Sequence, residues 1–324
     1  MNFKSFLITI VKIFVAILVI IAVFYYGKIS WPDLIAQFSS IKPAFYIVSL
    51  AIVTLVIVYV TRRWRVIIIV KEKHISYRSL VKMNFIGCFF NLFLPSSFGG
   101  DLIRAVYLNK EINSWKLSAS SVFLDRFIGI LSLFFLAFVS FLIKIIFEGT
   151  SNSTALTYLI IGTVCLFVCW VLLINLHSVL RYVFRLRNQK LIKFLEKYEL
   201  FSESINFSNY PKAIIINSFV ISVVGNLLSA LSIYFIALAL NIQIGILPIL
   251  VTFPLVTVIS MVPISVGGIG LREGAFVFFL AGYSISSSSA IAISILYFSS
   301  IVFLGIIGAI IFSFSKYSLG KFKL

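Results

Sequence analysis

Two short segments of this chain place charged residues at a spacing that suits anion binding between helices. Residues 95–104 and 263–272, 168 positions apart, both read Pro-x-Ser-x-Gly-Gly-x-x-x-Arg. Asp101 lies near the arginine of the first copy, and Glu273 lies beside the arginine of the second. Because an arginine can hold a phosphate or carboxylate through two parallel hydrogen bonds, the chemistry indicated is recognition of an anionic group by Arg104 and Arg272.

The other residues of the pattern are of the types that end one helix and start another. Proline ends the incoming helix because it lacks an N–H and clashes with the preceding turn. Ser97 or Asp101 can cap the helix that follows in the first copy, and Ser265 can do so in the second. The restarted helix then presents free N–H groups and a partial positive charge, which also favour an anion. Paired glycines permit positive φ and close backbone approach at the bend; they are Gly99 with Gly100 and Gly267 with Gly268.

Three further polar residues lie near the first motif in the sequence. Asn91 precedes it and can hydrogen-bond backbone groups freed at the break. Asp125 and Arg126 occupy the first turns of the next apolar run, where they either join the site or extend toward the membrane interface. We include all three among the candidate binding residues.

The charged residues of the motifs also allow a purely structural interpretation. Asp101 and Arg104 are three positions apart on one helix, so they can neutralise each other. Arg272 and Glu273 are adjacent in the sequence and are expected to point in different directions, which makes their mutual pairing less natural.

Residue patterns typical of enzymes and metal sites are largely missing from the sequence. Cys88, Cys165 and Cys169 lie in apolar segments without metal or disulfide spacing. His74 and His177 lie in or beside basic segments, with no clustered ligands. We therefore predict no catalytic residues, no metal and no cofactor.

The composition indicates the elements that must position these residues. The chain is 61% hydrophobic and only 11% charged, far from the values of soluble proteins. Six apolar runs approach or exceed the roughly 20 residues that span a bilayer; they are 6–26, 44–60, 117–143, 155–174, 213–240 and 290–314. We predict an all-α polytopic membrane protein.

The distribution of basic residues predicts the orientation of these spans. The net charge of +17 could suggest nucleic-acid binding, but 21 of the 27 lysines and arginines fall in segments assignable to one side. Lys28, Lys42 and Lys144 fall on the other side, while Arg104, Arg126 and Arg272 lie within apolar sequence. The positive-inside rule then predicts an inner (plasma) membrane protein with both termini in the cytoplasm. We expect anionic lipid headgroups, and no nucleic acid, as partners of the basic loops.

The same charge count predicts what the two broken segments do. If residues 80–108 crossed the membrane once, the basic loop at 181–212 would lie outside, against the rule. We therefore predict six spans plus two re-entrant helical hairpins in a single membrane domain covering 1–324. The order span, span, hairpin, span occurs twice, at about 1–148 and 154–316, and an odd number of spans per copy inverts the second copy.

Small residues follow one face of the fifth span at helical spacing. Such a stripe is typical of tight helix packing, with a polar pathway as the alternative; it contains Ser218, Ser222, Gly225, Ser229 and Ser232, with Asn226 beside it. Gly305 and Gly308 are packing residues in the same sense.

Three segments resemble the lysylphosphatidylglycerol synthase transmembrane family, also called flippase-like domain proteins. They are residues 91–105 (NLFLPSSFGGDLIRA), 124–126 (LDR) and 262–274 (VPISVGGIGLREG). The resemblance implies a membrane domain that moves a modified phospholipid between leaflets. The chain stops at Leu324, so we expect the soluble aminoacyl-transferase domain of the bifunctional members to be absent.

Three functions remain open at this point. The favoured one is a lipid translocase for an anionic or modified phospholipid or a polyprenyl-linked lipid. The second is a non-transporting accessory subunit for a separate lipid-modifying or glycosyl-transferring enzyme. The third is a membrane-embedded lipid transferase, which the missing catalytic residues disfavour.

Overall fold

The fold is helical throughout the part of the chain that the computed structural model describes. That part covers residues 31–70, 74–93, 99–148, 210–262 and 265–315, with isolated positions between 21 and 27. It contains nine α-helices, α1 to α9. In chain order they are Trp31–Ser39, Pro43–Ile68, Tyr77–Phe93, Gly99–Ile112, Trp115–Glu148, Lys212–Ala239, Ile246–Ser260, Leu271–Ala281 and Ser287–Ser313.

Four of these helices, α2, α5, α6 and α9, are long and apolar enough to cross a membrane. They confirm the predicted runs at 44–60, 117–143, 213–240 and 290–314. Pro43 begins α2, where its fixed φ suits a first turn. Ser286 caps α9 by accepting the Ser289 N–H at 3.2 Å. The runs at 6–26 and 155–174 lie outside the described residues, apart from positions 21, 24 and 25.

Helices α3 and α4 lie antiparallel on either side of the first Pro-Gly-Gly segment. Near the break, the Gly100 N–H donates to Asn91 Oδ1 at 2.7 Å. At the far end, the Ser79 hydroxyl donates to Glu111. A Cβ on Gly100 would overlap the carbonyl oxygen of Gly87, so the two backbones touch where glycine is present. The predicted break in the helix is confirmed, while Pro95 and Ser97 lie outside the described residues.

The second segment bends through consecutive glycines. A short 3₁₀ turn, Val266–Gly268, separates α7 from α8. Gly267 and Gly268 have φ of 62° and 74°, values that side chains disfavour, so the prediction of positive φ is confirmed here. For Gly99 and Gly100 it is wrong, because these two glycines form the first turn of α4. The two copies of one motif therefore adopt different backbones.

The helices pack crosswise between the two parts of the chain. Helices α2 and α6 pack against each other. Helix α3 packs against α9, and α7 packs against α5. The 3₁₀ turn of the second segment also contacts α3. Each broken segment is thus covered by a long helix from the other part of the chain.

Glycines allow the long helices α6 and α9 to approach their neighbours closely. A Cβ on Gly225 would lie 2.6 Å from Val60 Cγ1, at the contact of α6 with α2. A Cβ on Gly305 would overlap Leu92, and one on Gly308 would overlap the Phe85 carbonyl oxygen. The packing interpretation of the small-residue positions is confirmed at these three glycines.

Candidate functional site: two buried arginine clusters

Arg104 lies between two carboxylates. Its Nη1 donates to Asp101 Oδ1 at 3.0 Å and its Nη2 donates to Asp125 Oδ2 at 2.9 Å. Arg104 is 8% exposed and Asp125 is 2% exposed. The guanidinium carbon lies 4.1 Å from the ring centre of Trp64, a cation–π contact that further stabilises the buried charge.

The second oxygen of Asp125 binds another arginine, Arg63 on α2. Arg63 Nε donates to Asp125 Oδ1 at 2.6 Å, and its Nη1 donates to the Ser222 hydroxyl of α6 at 2.9 Å. The sequence reasoning missed Arg63 because it grouped it with the basic segment after the second span. Its neighbours Arg62 and Arg65 are exposed, whereas Trp64 is buried. The face of the helix on which each arginine lies was therefore the signal that could have identified Arg63.

Arg126 completes this group, which we call the first cluster: Arg63, Asp101, Arg104, Asp125 and Arg126. Arg126 Nε lies 3.5 Å from Asp101 Oδ2, and the Arg126 side chain is 27% exposed. The alternative that Asp101 and Arg104 neutralise each other describes one pair of this larger network. Asp125 joins this network, because it is buried and accepts hydrogen bonds from both Arg63 and Arg104.

Asn91 serves the start of α4 in the way the sequence predicted. Its side-chain oxygen accepts the Gly100 N–H, one of the groups that a first helical turn leaves without an intrahelical partner. The prediction that Asp101 caps this helix is not realised, because its Oδ1 binds Arg104 and its Oδ2 faces Arg126. Within the described residues, the side chain that caps α4 is Asn91 of the preceding helix.

The second cluster consists of Arg272, Glu273 and Ser294. Arg272 Nη2 donates to Glu273 Oε1 at 2.7 Å, and Arg272 Nε donates to the Ser294 hydroxyl at 3.2 Å. Ser294, on α9, donates to the same Glu273 oxygen at 2.9 Å. The Arg272 guanidinium also lies 4.5 Å from the ring centre of Phe298. Arg272 is 3% exposed.

The expectation that Arg272 and Glu273 would not pair is wrong. Helix α8 begins at Leu271, so both residues lie in its first turn. Glu273 folds back to accept the Gly270 N–H at 2.6 Å, which turns its carboxylate toward Arg272. Ser265 was predicted to cap this helix, but Gly270 occupies the N-cap position. The buried Ser265 hydroxyl has no hydrogen-bond partner within the described part of the chain.

Helix α9 contacts the second cluster and also α3, the helix that packs beside Arg104. Ser294 binds the second cluster, and Gly308 packs against Phe85, two positions from the Gly87 that faces Arg104. These contacts are 14 positions apart on α9, which corresponds to about 21 Å of helix. The 3₁₀ turn at 266–268 contacts α3, so the second bend meets the helix that leads into the first break.

Buried charge of this kind is costly, and pairing reduces the cost. Removing one partner of a buried ion pair typically destabilises a protein by about 3–5 kcal/mol. Each cluster satisfies its charges internally, which is compatible both with a structural role and with a polar site protected from lipid. Among the described residues, no group of three His, Cys, Asp or Glu side chains forms a metal site.

The motifs and both clusters fall within a recognised family region. The model of the lysylphosphatidylglycerol synthase TM region matches residues 9–308. The chain belongs to this family. It is also similar to a UPF0104 membrane protein of Methanocaldococcus jannaschii, with 27% identity over 230 residues, 69% of this chain and 93% of that protein. The match spans all nine described helices except the last turns of α9, so both clusters belong to the family region.

Proposed function

We propose that this protein moves an anionic or modified phospholipid, or a polyprenyl-linked lipid, between the two leaflets of the membrane. The headgroup binds near the two helix breaks while the acyl chains remain in the bilayer. The observation that carries this proposal is the pair of buried arginine clusters beside the breaks in an otherwise apolar helical protein. Intramembrane arginines are expensive and usually mark a substrate pathway.

The proposed transport path depends on two hairpins related by an inverted repeat. We propose that α3 with α4, and α7 with α8, are re-entrant hairpins that enter from opposite faces of the membrane. The crosswise packing supports this. If α2, α3 and α5 of the first copy correspond to α6, α7 and α9 of the second, then the contact of α3 with α9 corresponds to the contact of α7 with α5, and both are present. Both termini lie in the cytoplasm under this proposal, as the basic loops favour.

The two clusters belong to different helix breaks. We propose that a headgroup crossing the membrane passes one break and then the other. Non-helical backbone within the membrane is tolerated where protein buries it or where it lines a wet cavity. The breaks between the clusters would provide that polar path, with the long helices shielding it from the acyl chains.

The test is leaflet exchange in reconstituted vesicles. Purified protein is incorporated into phosphatidylcholine vesicles containing a headgroup-accessible fluorescent phosphatidylglycerol, and the fraction quenched by an impermeant reductant is followed. We expect the wild type to expose inner-leaflet label and the charge-balanced variant Arg104→Gln/Asp101→Asn to lose this activity while remaining folded. Exchange no faster than in protein-free vesicles, for phosphatidylglycerol and for a polyprenyl phosphate, would rule the proposal out.

An accessory role is the second candidate, and one surface favours it. Arg62, Arg65, Arg78 and Lys82 are exposed on the ends of α2 and α3 that meet at Tyr77, whose ring contacts Arg65. This basic surface can hold the acidic face of a separate lipid-modifying enzyme at the membrane. Loss of that enzyme's membrane recruitment in a charge-reversed surface variant, with no leaflet exchange by the wild type, would support this role instead.

A further inference from the structure

We infer that Arg104, rather than Arg272, is the arginine that exchanges a protein carboxylate for the lipid phosphate, and that Arg63 is the positioning residue that makes this exchange possible. The inference rests on the proposed function and names the residue of the site that contacts the headgroup. It follows from how the carboxylates of the two clusters are shared.

Arg104 keeps an unused hydrogen-bond donor. Its Nη1 and Nη2 donate to Asp101 and Asp125, but its buried Nε has no hydrogen-bond partner within the described part of the chain. The Nε of Arg272, in contrast, is already engaged by Glu273 and Ser294. A phosphate oxygen can therefore bind Arg104 before any existing hydrogen bond is broken.

Both carboxylates that hold Arg104 also have a second arginine. Asp125 Oδ1 accepts from Arg63 at 2.6 Å, and Asp101 Oδ2 lies 3.5 Å from Arg126 Nε. When Arg104 turns toward a phosphate, neither carboxylate is left without a cation. The exchange thus avoids the penalty of an unpaired buried charge, which otherwise opposes such a step.

Arg63 is fixed independently of Arg104. Its Nη1 donates to Ser222 on α6, and a Cβ on Gly129 would lie 2.9 Å from that nitrogen, so the glycine makes room for the guanidinium. Arg63 and Asp125 lie on the long helices α2 and α5, whereas Arg104 lies on α4 of the broken segment. Asp125 consequently stays paired on the long helices if α4 shifts.

The second cluster lacks this second cation. Within the described residues, Glu273 pairs with Arg272, and its other contacts are the Gly270 N–H and the Ser294 hydroxyl. If Arg272 turned away, the buried Glu273 carboxylate would have no second arginine among the described residues, and the start of α8 would lose its support. Arg272 therefore positions the beginning of α8.

The test uses Trp64 as a reporter, because its ring lies under Arg104. Trp31, Trp115 and Trp170 are replaced by Phe, and the purified protein is titrated with dihexanoyl phosphatidylglycerol below its micelle concentration. We expect a saturable change in Trp64 emission, absent with dihexanoyl phosphatidylcholine. Inorganic phosphate at the same concentration distinguishes lipid recognition from capture of a free anion.

The variants then separate the roles. Arg104→Gln/Asp101→Asn, which removes one charge of each sign, should weaken binding about 100-fold or more, because the headgroup loses its arginine. Arg63→Gln should weaken binding roughly 10–100-fold, as loss of an outer partner does at metal ligands. Arg63→Lys should recover part of it. The matched control is Arg62→Gln, which removes the adjacent, exposed arginine and should bind as the wild type does.

Two results would overturn the inference: binding by Arg63→Gln within threefold of Arg62→Gln, or an unchanged emission response in the Arg104→Gln/Asp101→Asn protein. An Arg63 variant that binds normally but melts earlier would show a structural role only. Saturable binding with these variant effects, but without leaflet exchange in vesicles, would leave this inference standing and remove the translocase proposal.

Discussion

Gly308 packs so closely on Phe85 that a side chain at position 308 would overlap the Phe85 carbonyl oxygen. This contact joins the last described helix to the helix that precedes the first break. The close packing of α9 on α3 thus requires a residue without a Cβ at position 308.

Replacing Gly308 by Ala should therefore destabilise the protein by about 1–3 kcal/mol, the usual cost of overpacking. Thermal unfolding in detergent measures the change. Gly282→Ala is the matched control, because a Cβ there would make only an ordinary contact at 3.6 Å. Equal melting temperatures for the two variants would show that α9 can move away from α3 at no cost.

Asp125→Asn should be among the most destabilising single changes in the described chain. It leaves Arg63 and Arg104 without their shared carboxylate, and breaking a buried ion pair in this way costs about 3–5 kcal/mol. Asp33→Asn, at an exposed position of α1, provides the comparison for removing one carboxylate. Similar melting temperatures for the two proteins would contradict the burial and pairing described for Asp125.

Arg272 and Glu273 should behave as a coupled pair. Each single change, Arg272→Gln or Glu273→Gln, leaves its partner charged and buried, whereas the double variant leaves no charge at this position. Residues in such contact typically show coupling energies of about 0.5–3 kcal/mol. A double-mutant cycle of unfolding measures this coupling, and strictly additive effects would argue against the pair.

The topology can be tested by cysteine labelling in a cysteine-free background. Single cysteines at Gly27 and Ser151 should react with an impermeant maleimide from outside, and those at Lys71, Lys190 and Lys321 only after permeabilisation. The basis is the asymmetric placement of lysine and arginine. Labelling of position 190 in intact cells would exclude the re-entrant arrangement.

Many of the helices could be predicted, because the length of an apolar run and the presence of helix-breaking residues can be read from the local sequence. The four long helices were found from their apolar runs, and both breaks from proline and paired glycines. The different backbones of the two motifs could not be predicted from residue types that both copies share. Gly100 lies in a helix against the Gly87 carbonyl oxygen, whereas Gly267 has a positive φ and nothing within 4 Å of its Cβ position.

The ion pairs were harder to predict because partners come from distant helices. Arg63 and Asp125 are 62 positions apart, and Arg272 and Ser294 are 22 apart. A basic residue at the end of an apolar run is easily assigned to a loop unless one asks which face of the helix it would occupy. The pairing of adjacent Arg272 and Glu273 depends on Glu273 turning back to Gly270, which is a property of the cap.

The crosswise packing also imposes an order on biosynthesis. Helix α3 is made early, yet the helix that covers it, α9, emerges more than 200 residues later. At about 5–20 residues per second, the interval between Phe85 and Gly308 is roughly 10–45 s. During that interval α3 lacks the helix that covers it in the folded protein, although Arg104 already lies nearby. Variants that weaken the α3–α9 contact should therefore be degraded more often before folding is complete.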